Sequence, residues 1–287
     1  MDNTHIHPSS RHLAHLVDLH AWQGAPANED REHEVVILVN HGYVVGYCPQ
    51  RLQPMWAAYR VAYADRDVDY ERPHVYYEDK RLRPLQRLSA DTFGKHEGVA
   101  YHVGHMAPNE VINRQYGRLA QMETFFMTNM CPQRGSLNNG LWKRLETAIR
   151  EIEDTKANDH MWVLAGPVFG DTPAFLERKQ GHRVPIPEAF FCITIDPHSY
   201  PYKRRSNVTM ECFLMPQDAS SDTEVFDYLV DLEDIEARTR LKFFEGWSRE
   251  FDPMAGISFG VGDESAGNRE RLRESFERLA RAEDADA

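Results

Sequence analysis

The chain has 287 residues, and its 33 lysines and arginines against 45 aspartates and glutamates give a net charge of −12. A hydrophobic fraction of 41% and an aromatic fraction of 11% are ordinary for a globular protein, which excludes a disordered chain, a collagen-like repeat and a coiled-coil rod. The acidic balance also argues against a protein that coats nucleic acid by charge alone, but it is compatible with an enzyme that has a locally basic cleft.

Residues 1–32 are polar and contain five histidines without regular spacing, namely His5, His7, His12, His15 and His20. A metal site is one interpretation of such a tract, but His-rich composition is only a weak indication of one. We favour a polar, His-rich N-terminal arm that is mobile or packed on the surface. The rest of the chain divides into a folded domain over residues 33–250 and a charged, helical C-terminal tail over residues 251–287.

The first part of the domain has strand signals separated by turns. EVVILVN (34–40) and HGYVVGYC (41–48) predict a β-hairpin, and MWAAYRVAYA (55–64) predicts a third strand or a short helix. Residues 65–98 are charged and interrupted by prolines, which is typical of a loop with short elements. FFMTNM (125–130) is again strand-like, and it follows an amphipathic piece in which Leu119, Met122 and Phe125 recur every three residues.

Helices and further strands follow. LWKRLETAIREIED (141–154) predicts a helix with a buried stripe that includes Leu141, Leu145 and Ile149. The segment 227–247 also has helical spacing, and three apolar runs predict strands, namely 161–170, 184–196 and 208–217. Strands dominate and a few helices interrupt them, so we predict the α+β class.

The cysteines show neither a CxxC pair nor zinc-like spacing; they are Cys48, Cys131, Cys192 and Cys212. Two of them fall in strand-like apolar runs, where a buried free thiol is the expected state. No run approaches the length of a membrane span, and the N-terminus lacks the apolar stretch of a secretory signal. We therefore expect an intracellular, cytoplasmic protein.

The densest group of polar residues within apolar elements lies between residues 102 and 150. Glu146 and Arg150 are four residues apart on the predicted helix and can form an ion pair, which would ordinarily be a solvated one. Asn138 precedes that helix, where its side chain could cap the helix or coordinate a hard divalent cation. A cation, a neutral histidine base and an arginine together suit phosphodiester hydrolysis.

The order HMAPN, TNMCPQ and NNGLWKRLE resembles the ββα-metal superfamily of DNA/RNA non-specific endonucleases. This group contains the bacterial sugar-non-specific nucleases and mitochondrial endonuclease G. NHGYVVGYCPQRLQPMWAAYRV and WVLAGPVFG are similar to the opening strands and a later strand of the family, and the resemblance covers residues 33–247. It implies a ββα-metal nuclease fold, with a central antiparallel sheet flanked by helices.

The resemblance also implies roles for individual residues. His105 is expected to be the general base that activates water, and Asn138 to be the direct protein ligand of Mg²⁺, for which Mn²⁺ can substitute. Glu146 resembles the acidic residue that holds metal-bound water.

Further residues complete the implied site. Asn129 is similar to the asparagine that supports the site by hydrogen bonding. Arg150 and Arg66 resemble the phosphate-binding arginines of the family, and the match at Arg66 is the looser one.

The family signature Asp-Arg-Gly-His is altered here to His102-Val103-Gly104-His105. Gly104 and His105 are retained, but Val103 cannot bind a phosphate. Losing one charge-stabilising donor costs on the order of 10²–10³ in rate at comparable sites. Either the enzyme is slower, or another cation takes that position, for which the candidates are His102, Arg114 and Arg118. Because the base, the metal ligand and the acid are all retained, we favour compensation.

The leading hypothesis is a metal-dependent endonuclease that cuts DNA and in some settings RNA, restrained by an inhibitor, an activating partner or assembly. Family members are often homodimers, and the C-terminal segment could support one. The alternative is a degenerate nuclease fold that binds nucleic acid or a protein partner without cutting. A third hypothesis, a phosphodiesterase for small nucleotides, has weaker support.

Overall fold

The computed structural model describes residues 3–62, 71–154, 160–178, 181–196, 208–220 and 223–245. Two parts of the chain singled out from the sequence, Arg66 and the tail over 251–287, lie outside the described residues. No helix among the described residues is both long and apolar enough to cross a membrane.

The strands are, in chain order, β1 (Thr4–Ile6), β2 (Ala27–Asn28), β3 (Val35–Val39), β4 (Val44–Cys48), β5 (Gln53–Ala62), β6 (Gly94–His96), β7 (Val99–His105), β8 (Met130–Arg134), β9 (His160–Val168), β10 (Phe175–Glu177), β11 (Arg183–Pro185), β12 (Ala189–Asp196), β13 (Thr209–Pro216) and β14 (Leu241–Lys242). The α-helices are α1 (His15–His20), α2 (Asn109–Tyr116), α3 (Arg118–Glu123), α4 (Gly135–Asn139), α5 (Leu141–Asp154) and α6 (Leu232–Thr239). Short 3₁₀ helices span Pro8–Leu13, Pro84–Gln86, Met127–Asn129 and Val225–Tyr228.

A seven-stranded sheet in the order β1-β3-β4-β5-β9-β12-β13 forms the centre of the fold. All its pairs are antiparallel except β1 with β3. Helices α2 and α5 pack on one face of this sheet, and α1 and α6 on the other. Because both faces are covered, the central strands are continuous apolar runs rather than alternating ones. The predicted α+β class is confirmed.

A smaller sheet, β6-β7-β8, carries the residues singled out as candidates for chemistry. Strands β7 and β8 are antiparallel, and their register pairs His105 with Met130 and His102 with Gln133. Tyr101 and Val103 of β7 are buried in a third apolar cluster with Met127 and Met130. Side chains alternate along a strand, so His105 lies on the same face of β7 as Val103, and His102 lies on the opposite face.

The N-terminal segment, which we expect to be a polar arm, packs against the central sheet. Strand β1 pairs in parallel with β3 at the sheet edge, and β2 pairs with β14. His20 and Trp22 are buried, with 0% and 2% of their surface exposed. The indole N–H of Trp162, in β9, donates to the carbonyl of Leu19 at 3.0 Å.

Most elements predicted from the pattern are present, including the β3–β4 hairpin, β5 as a strand, and α5 with a buried stripe at Leu141, Leu145 and Ile149. Three expectations are wrong in detail. FFMTNM ends in a 3₁₀ turn, and the strand begins only at Met130. The segment 227–247 has a helix only over Leu232–Thr239, because Arg240 takes up a left-handed conformation that ends it.

The third error concerns α3. Leu119 and Met122 are 59% and 37% exposed, whereas Phe125 is buried, so the three residues do not form one buried stripe. The cysteines are free and buried as predicted.

Candidate active site

His105 is the last residue of β7, and its imidazole packs among aromatic rings. Its ring centroid lies 5.0 Å from that of Phe125 in an edge-on arrangement and 6.4 Å from that of Tyr76. Nε2 is buried and hydrogen-bonds to no described residue. Burial, followed by repulsion from the Arg72 guanidinium, lowers the pKa of His105 to about 3. The imidazole is therefore neutral at pH 7, which is the form that can accept a proton.

Asn129 holds the chain in place just after His105. Its Oδ1 accepts the Ala107 N–H at 2.9 Å, and its Nδ2 donates to the carbonyls of Ala107 at 2.9 Å and Thr124 at 3.0 Å. Its own carbonyl accepts the Met106 N–H at 3.0 Å. The side chain is completely buried, so these bonds fix the exit of β7 without exposing a reactive group. This is the geometry expected of the supporting asparagine.

Arg72 is the cation whose charge acts on this imidazole. Its Cζ lies 5.7 Å from the ring centroid of Phe125, on which His105 also packs. The Arg72 charge acts on both His105 and Glu146. It lowers the pKa of His105 in the same direction as burial, and it opposes, as the smallest of four causes, the rise in the pKa of Glu146 that burial produces. One exposed guanidinium is therefore within electrostatic reach of the candidate base and the candidate acid.

Asn138 and Glu146 lie on α4 and α5; Gly135 of α4 packs against His102 of β7, and Glu146 is within electrostatic reach of Arg72. Asn138 lies in the last turn of α4, so it does not cap α5, which begins at Leu141. Its Nδ2 donates to Oδ1 of Asn139 at 3.3 Å, and its own Oδ1 accepts no hydrogen bond from the described residues. Of the two sequence interpretations, the structure contradicts capping of α5; the ligand role of Asn138 stays a prediction.

Glu146 projects from α5 into a largely apolar environment. Trp142, one turn earlier, donates its indole N–H to Oε1 of Glu146 at 3.0 Å. Burial, with a smaller contribution from the nearby Glu110 carboxylate, raises the pKa of Glu146 to about 8, against the lowering effects of the hydrogen bond from Trp142 and of the Arg72 charge. A carboxyl group held like this is ready to take up a cation in exchange for its proton.

The ion pair expected between Glu146 and Arg150 is not the one that forms. Arg150 instead pairs with Glu110 of α2, across the gap between two helices, and Glu146 is occupied by Trp142. Nε of Arg150 is buried and has no hydrogen-bond partner among the described residues. Arg150 therefore has one N–H group without a partner among the described residues.

The two altered residues of the signature, His102 and Val103, lie on opposite faces of β7. Val103, which stands where the family has arginine, is 8% exposed and packs in the cluster around Met127 and Met130. His102 is exposed on the opposite face from His105, where its ring covers Gly135 so closely that a Cβ there would lie 2.8 Å from Nε2. His102 is thus less well placed than Arg72 to supply charge beside His105.

The two other compensating cations proposed from the sequence belong to α2 and α3. Arg114 lies in the last turn of α2 and is half-buried. Arg118 donates to Oε1 of Gln121 at 2.7 Å and to the carbonyl of Glu71. Arg118 therefore supports the segment that carries Arg72.

The donor set fits a hard divalent cation better than zinc. The described residues contain no group of three histidine, cysteine or acidic side chains that could hold a metal ion. An open amide oxygen at Asn138 and a carboxyl group at Glu146 suit Mg²⁺, which binds through few protein oxygens and keeps several waters.

Sequence patterns missed Arg72 and Tyr76, which lie in the segment interpreted only as a charged loop. No spacing links them to His105; tertiary contacts do. The rings of Tyr76 and Phe125 are 6.0 Å apart, and Tyr77 donates its N–H to the Phe125 carbonyl at 2.9 Å. In the sequence, the adjacent aromatic pairs Tyr76-Tyr77 and Phe125-Phe126 are the feature that could have indicated this packing. Arg66, the phosphate-binding arginine that the family resemblance implies in this region, lies outside the described residues.

Similarity to known proteins agrees with this geometry. The human protein "Nuclease EXOG, mitochondrial" is 26% identical over 221 residues, which are 73% of this chain and 57% of the human protein. A protein of Serratia marcescens named "Nuclease" is 23% identical over 214 residues, which are 74% of this chain and 76% of that protein. This chain thus spans less than two thirds of the length of the human relative.

A chain in a crystal structure of an EndoG/EndoGI complex shares the fold. Its TM-score is 0.64 with 22% sequence identity, and the match covers 86% of this chain and 98% of that one. The ββα-metal fold predicted from the sequence is thereby confirmed. The family model described as DNA/RNA non-specific endonuclease matches residues 27–250. The chain belongs to the DNA/RNA non-specific endonuclease family.

Proposed function

We propose that this chain is a metal-dependent endonuclease that hydrolyses phosphodiester bonds of DNA, and of RNA where RNA reaches the cleft. The observation that carries this proposal is the placement of His105 at the end of β7, where burial and the exposed Arg72 guanidinium lower the pKa of its imidazole and where Nε2 hydrogen-bonds to no described residue. The open nitrogen alone would not single out this residue, because both ring nitrogens of the buried His182 also lack a partner among the described residues. His105 differs in its place within the family motif and beside the Arg72 charge.

His105 takes the proton of the attacking water. The neutral form required for this is secured by burial, since a low pKa leaves the imidazole unprotonated until substrate and water arrive. Asn129 contributes by positioning, because its bonds to Ala107 and Thr124 fix the backbone that follows the base. Positioned proton transfer contributes on the order of 10²–10⁴ in rate.

Asn138 and Glu146 would hold the divalent cation, Asn138 directly and Glu146 through water or directly. When bound, such an ion offsets negative charge on the scissile phosphate and the leaving oxygen. The same charge is stabilised from the protein side by Arg72 and Arg150. Arg72 is exposed and hydrogen-bonds to no described residue, so it is available to a phosphate oxygen.

Arg72 also accounts for the missing signature arginine. Val103 is buried and offers no charge, whereas Arg72 comes from a different segment and reaches the same base. We infer that activity is retained because the cation is supplied from this loop. Since the contacts proposed here are to phosphates, we expect little sequence preference and an affinity that falls steeply with salt.

The test is plasmid cleavage with Mg²⁺, with Mn²⁺ and with EDTA, for wild type, Asn138→Ala and Asn139→Ala. The two asparagines are adjacent in α4, and only Asn138 is assigned a ligand role, so Asn139→Ala is a matched control. We expect EDTA to abolish cleavage and Asn138→Ala to raise the Mg²⁺ concentration needed for half-maximal rate by at least tenfold. Cleavage that persists in EDTA would refute the metal dependence. No cleavage by wild type under any condition would favour the degenerate, binding-only alternative.

We also propose that the activity is restrained by a protein partner. The support is a net charge of −12, which disfavours indiscriminate binding to nucleic acid, and a fold neighbour whose title describes EndoG inhibition in a complex with EndoGI. The measurement is the specific activity of the purified chain beside that of the chain in extract from its source. A purified protein that is no more active than the extract would contradict restraint.

A further inference from the structure

A second site lies apart from the candidate active site. A cavity of about 430 Å³ opens between the turn after β4, the segment after β9 and the end of α6. None of the residues assigned to the active site lines it. Its volume is in the range of sites that bind small molecules.

Arg51 is the unusual residue of this cavity. Its side chain is only 18% exposed, and its Cζ lies 4.4 Å from the ring centroid of Phe169. Nε is buried and donates to no described residue. The nearest carboxylate oxygen, Oδ2 of Asp30, is 3.8 Å from Nη2, which is too long for a hydrogen bond. An arginine stays charged even when buried, so Arg51 has a distant ion-pair partner in Asp30 but a buried Nε–H that donates to no described residue.

Asp30 is not a close partner of Arg51 because its oxygens are already engaged. Oδ2 is 2.7 Å from Nδ1 of His33, and Oδ1 accepts the Glu32 N–H at 2.9 Å. The carboxylate therefore closes its own turn and leaves Arg51 with a longer-range attraction only.

A second guanidinium adds to the positive charge at this point. Arg240 ends α6 in a left-handed conformation with φ 58°, and its carbonyl accepts the Glu29 N–H at 2.9 Å. Burial, and also the charge of Arg240, lower the pKa of Arg51. Two like charges that face one cavity are stabilised by an anion placed between them.

The other walls limit the kind of anion. Phe169, Phe175 and Met55 provide apolar surface for a planar group. Glu32 and Asp171 are exposed lining residues, so they would repel a long polyanion that crossed the opening. The chemistry thus favours a small ligand with one compact anionic group and a flat apolar part.

We propose that this cavity binds a small phosphate monoester of the size of a nucleoside monophosphate, with its phosphate held by Arg51 and Arg240. Arginine forks match phosphate oxygens in pairs, which lysine does not do. The proposal concerns a surface separate from His105 and does not depend on nuclease activity.

The experiment is calorimetric titration of the full chain in EDTA with three probes: 5′-dAMP, inorganic phosphate and deoxyadenosine. Because the active site can also take a phosphate, the titrations are made in wild type and in Arg72→Gln. We expect saturable binding of 5′-dAMP that survives Arg72→Gln and is weakened at least tenfold by Arg51→Gln added to it. Arg183→Gln is the control. This substitution removes the same charge, and Arg183 packs on Phe175 but does not line the cavity.

If Arg51→Gln fails to fold, Arg240→Asn provides the second test. Arg240 is exposed, and asparagine tolerates the left-handed conformation, so this change removes the charge without straining the backbone. We expect it to weaken binding about threefold or more. Equal binding of inorganic phosphate and 5′-dAMP would identify free phosphate as sufficient, and tighter 5′-dAMP would identify the ester. No binding at millimolar concentration, equal binding of deoxyadenosine, or insensitivity to both arginine variants would overturn the proposal.

Discussion

Two arginines of one segment, Arg72 and Arg81, show opposite ways of using the same side chain. Each lies over one of two consecutive phenylalanines, Arg72 over Phe125 at 5.7 Å and Arg81 over Phe126 at 5.4 Å. Arg81 is saturated with hydrogen bonds, whereas Arg72 is exposed and donates to no described residue. The difference separates a residue that positions the segment from one that is open to substrate.

Arg81 ties three parts of the fold together. Arg81 donates twice to Asp79, at 2.8 and 2.6 Å, and also to the carbonyl of Val39 and Oδ1 of Asn40, both at 2.9 Å. Asp79, which is 1% exposed, accepts a further bond from the Thr128 hydroxyl at 2.9 Å. The loop is thus pinned to the end of β3 and to the turn before β8, so Arg72 is presented from a fixed base.

Removing the Arg81 side chain should have the largest effect on stability. Arg81→Met leaves the Asp79 carboxylate buried without its partner, and we expect the free energy of unfolding to fall by about 3 kcal/mol or more. Urea denaturation measures this. The control is Arg87→Met, whose ion pair with Glu78 is more exposed and should cost about 1 kcal/mol or less. Equal losses in the two variants would mean that the Asp79–Arg81 pair does not pin the loop.

Removing the open arginine should affect catalysis and leave stability nearly unchanged. We expect Arg72→Ala to slow plasmid cleavage by about 10²-fold, the usual effect of losing one charge-stabilising donor. Its free energy of unfolding should change by less than about 0.5 kcal/mol, since an exposed side chain is lost. Initial rates and urea denaturation on the same preparation test both parts. An unchanged rate would mean that Arg72 does not replace the arginine that the family signature has at position 103.

His102 should have the smallest effect of the candidate cations. It lies on the opposite face of β7 from His105, so we expect His102→Ala to reduce the cleavage rate less than about threefold. A loss as large as that of Arg72→Ala would show that His102 also supplies charge to the site, as one of the sequence interpretations holds.

The sequence predicted the parts of the site that follow from local order. His105, Asn129, Asn138 and Glu146 are predicted from motifs whose order resembles that of the family, and α5 is predicted because its apolar residues recur at helical spacing. Arg72 could not be found this way, because it meets His105 only through the packing of Tyr76 on Phe125.

Side-chain pairing was also beyond the pattern. Helical spacing allows Glu146 to meet Arg150 or Trp142, since both are four residues away. Tertiary packing decides the choice, because Glu110 of α2 captures Arg150 and leaves Trp142 for the carboxyl group. The N-terminal segment is a similar case, since its polar composition gives no hint that Thr4–Ile6 extends the sheet.

The most direct test of the account is the rate of Mg²⁺-dependent plasmid cleavage by His105→Ala beside wild type, with the free energy of unfolding measured for both. We predict a loss of roughly 10³-fold or more in rate in a protein that still folds, with a loss of stability of about 1–3 kcal/mol because the imidazole gives up its ring contacts with Phe125 and Tyr76. Cleavage by His105→Ala within tenfold of wild type would contradict the assignment of His105 as the base.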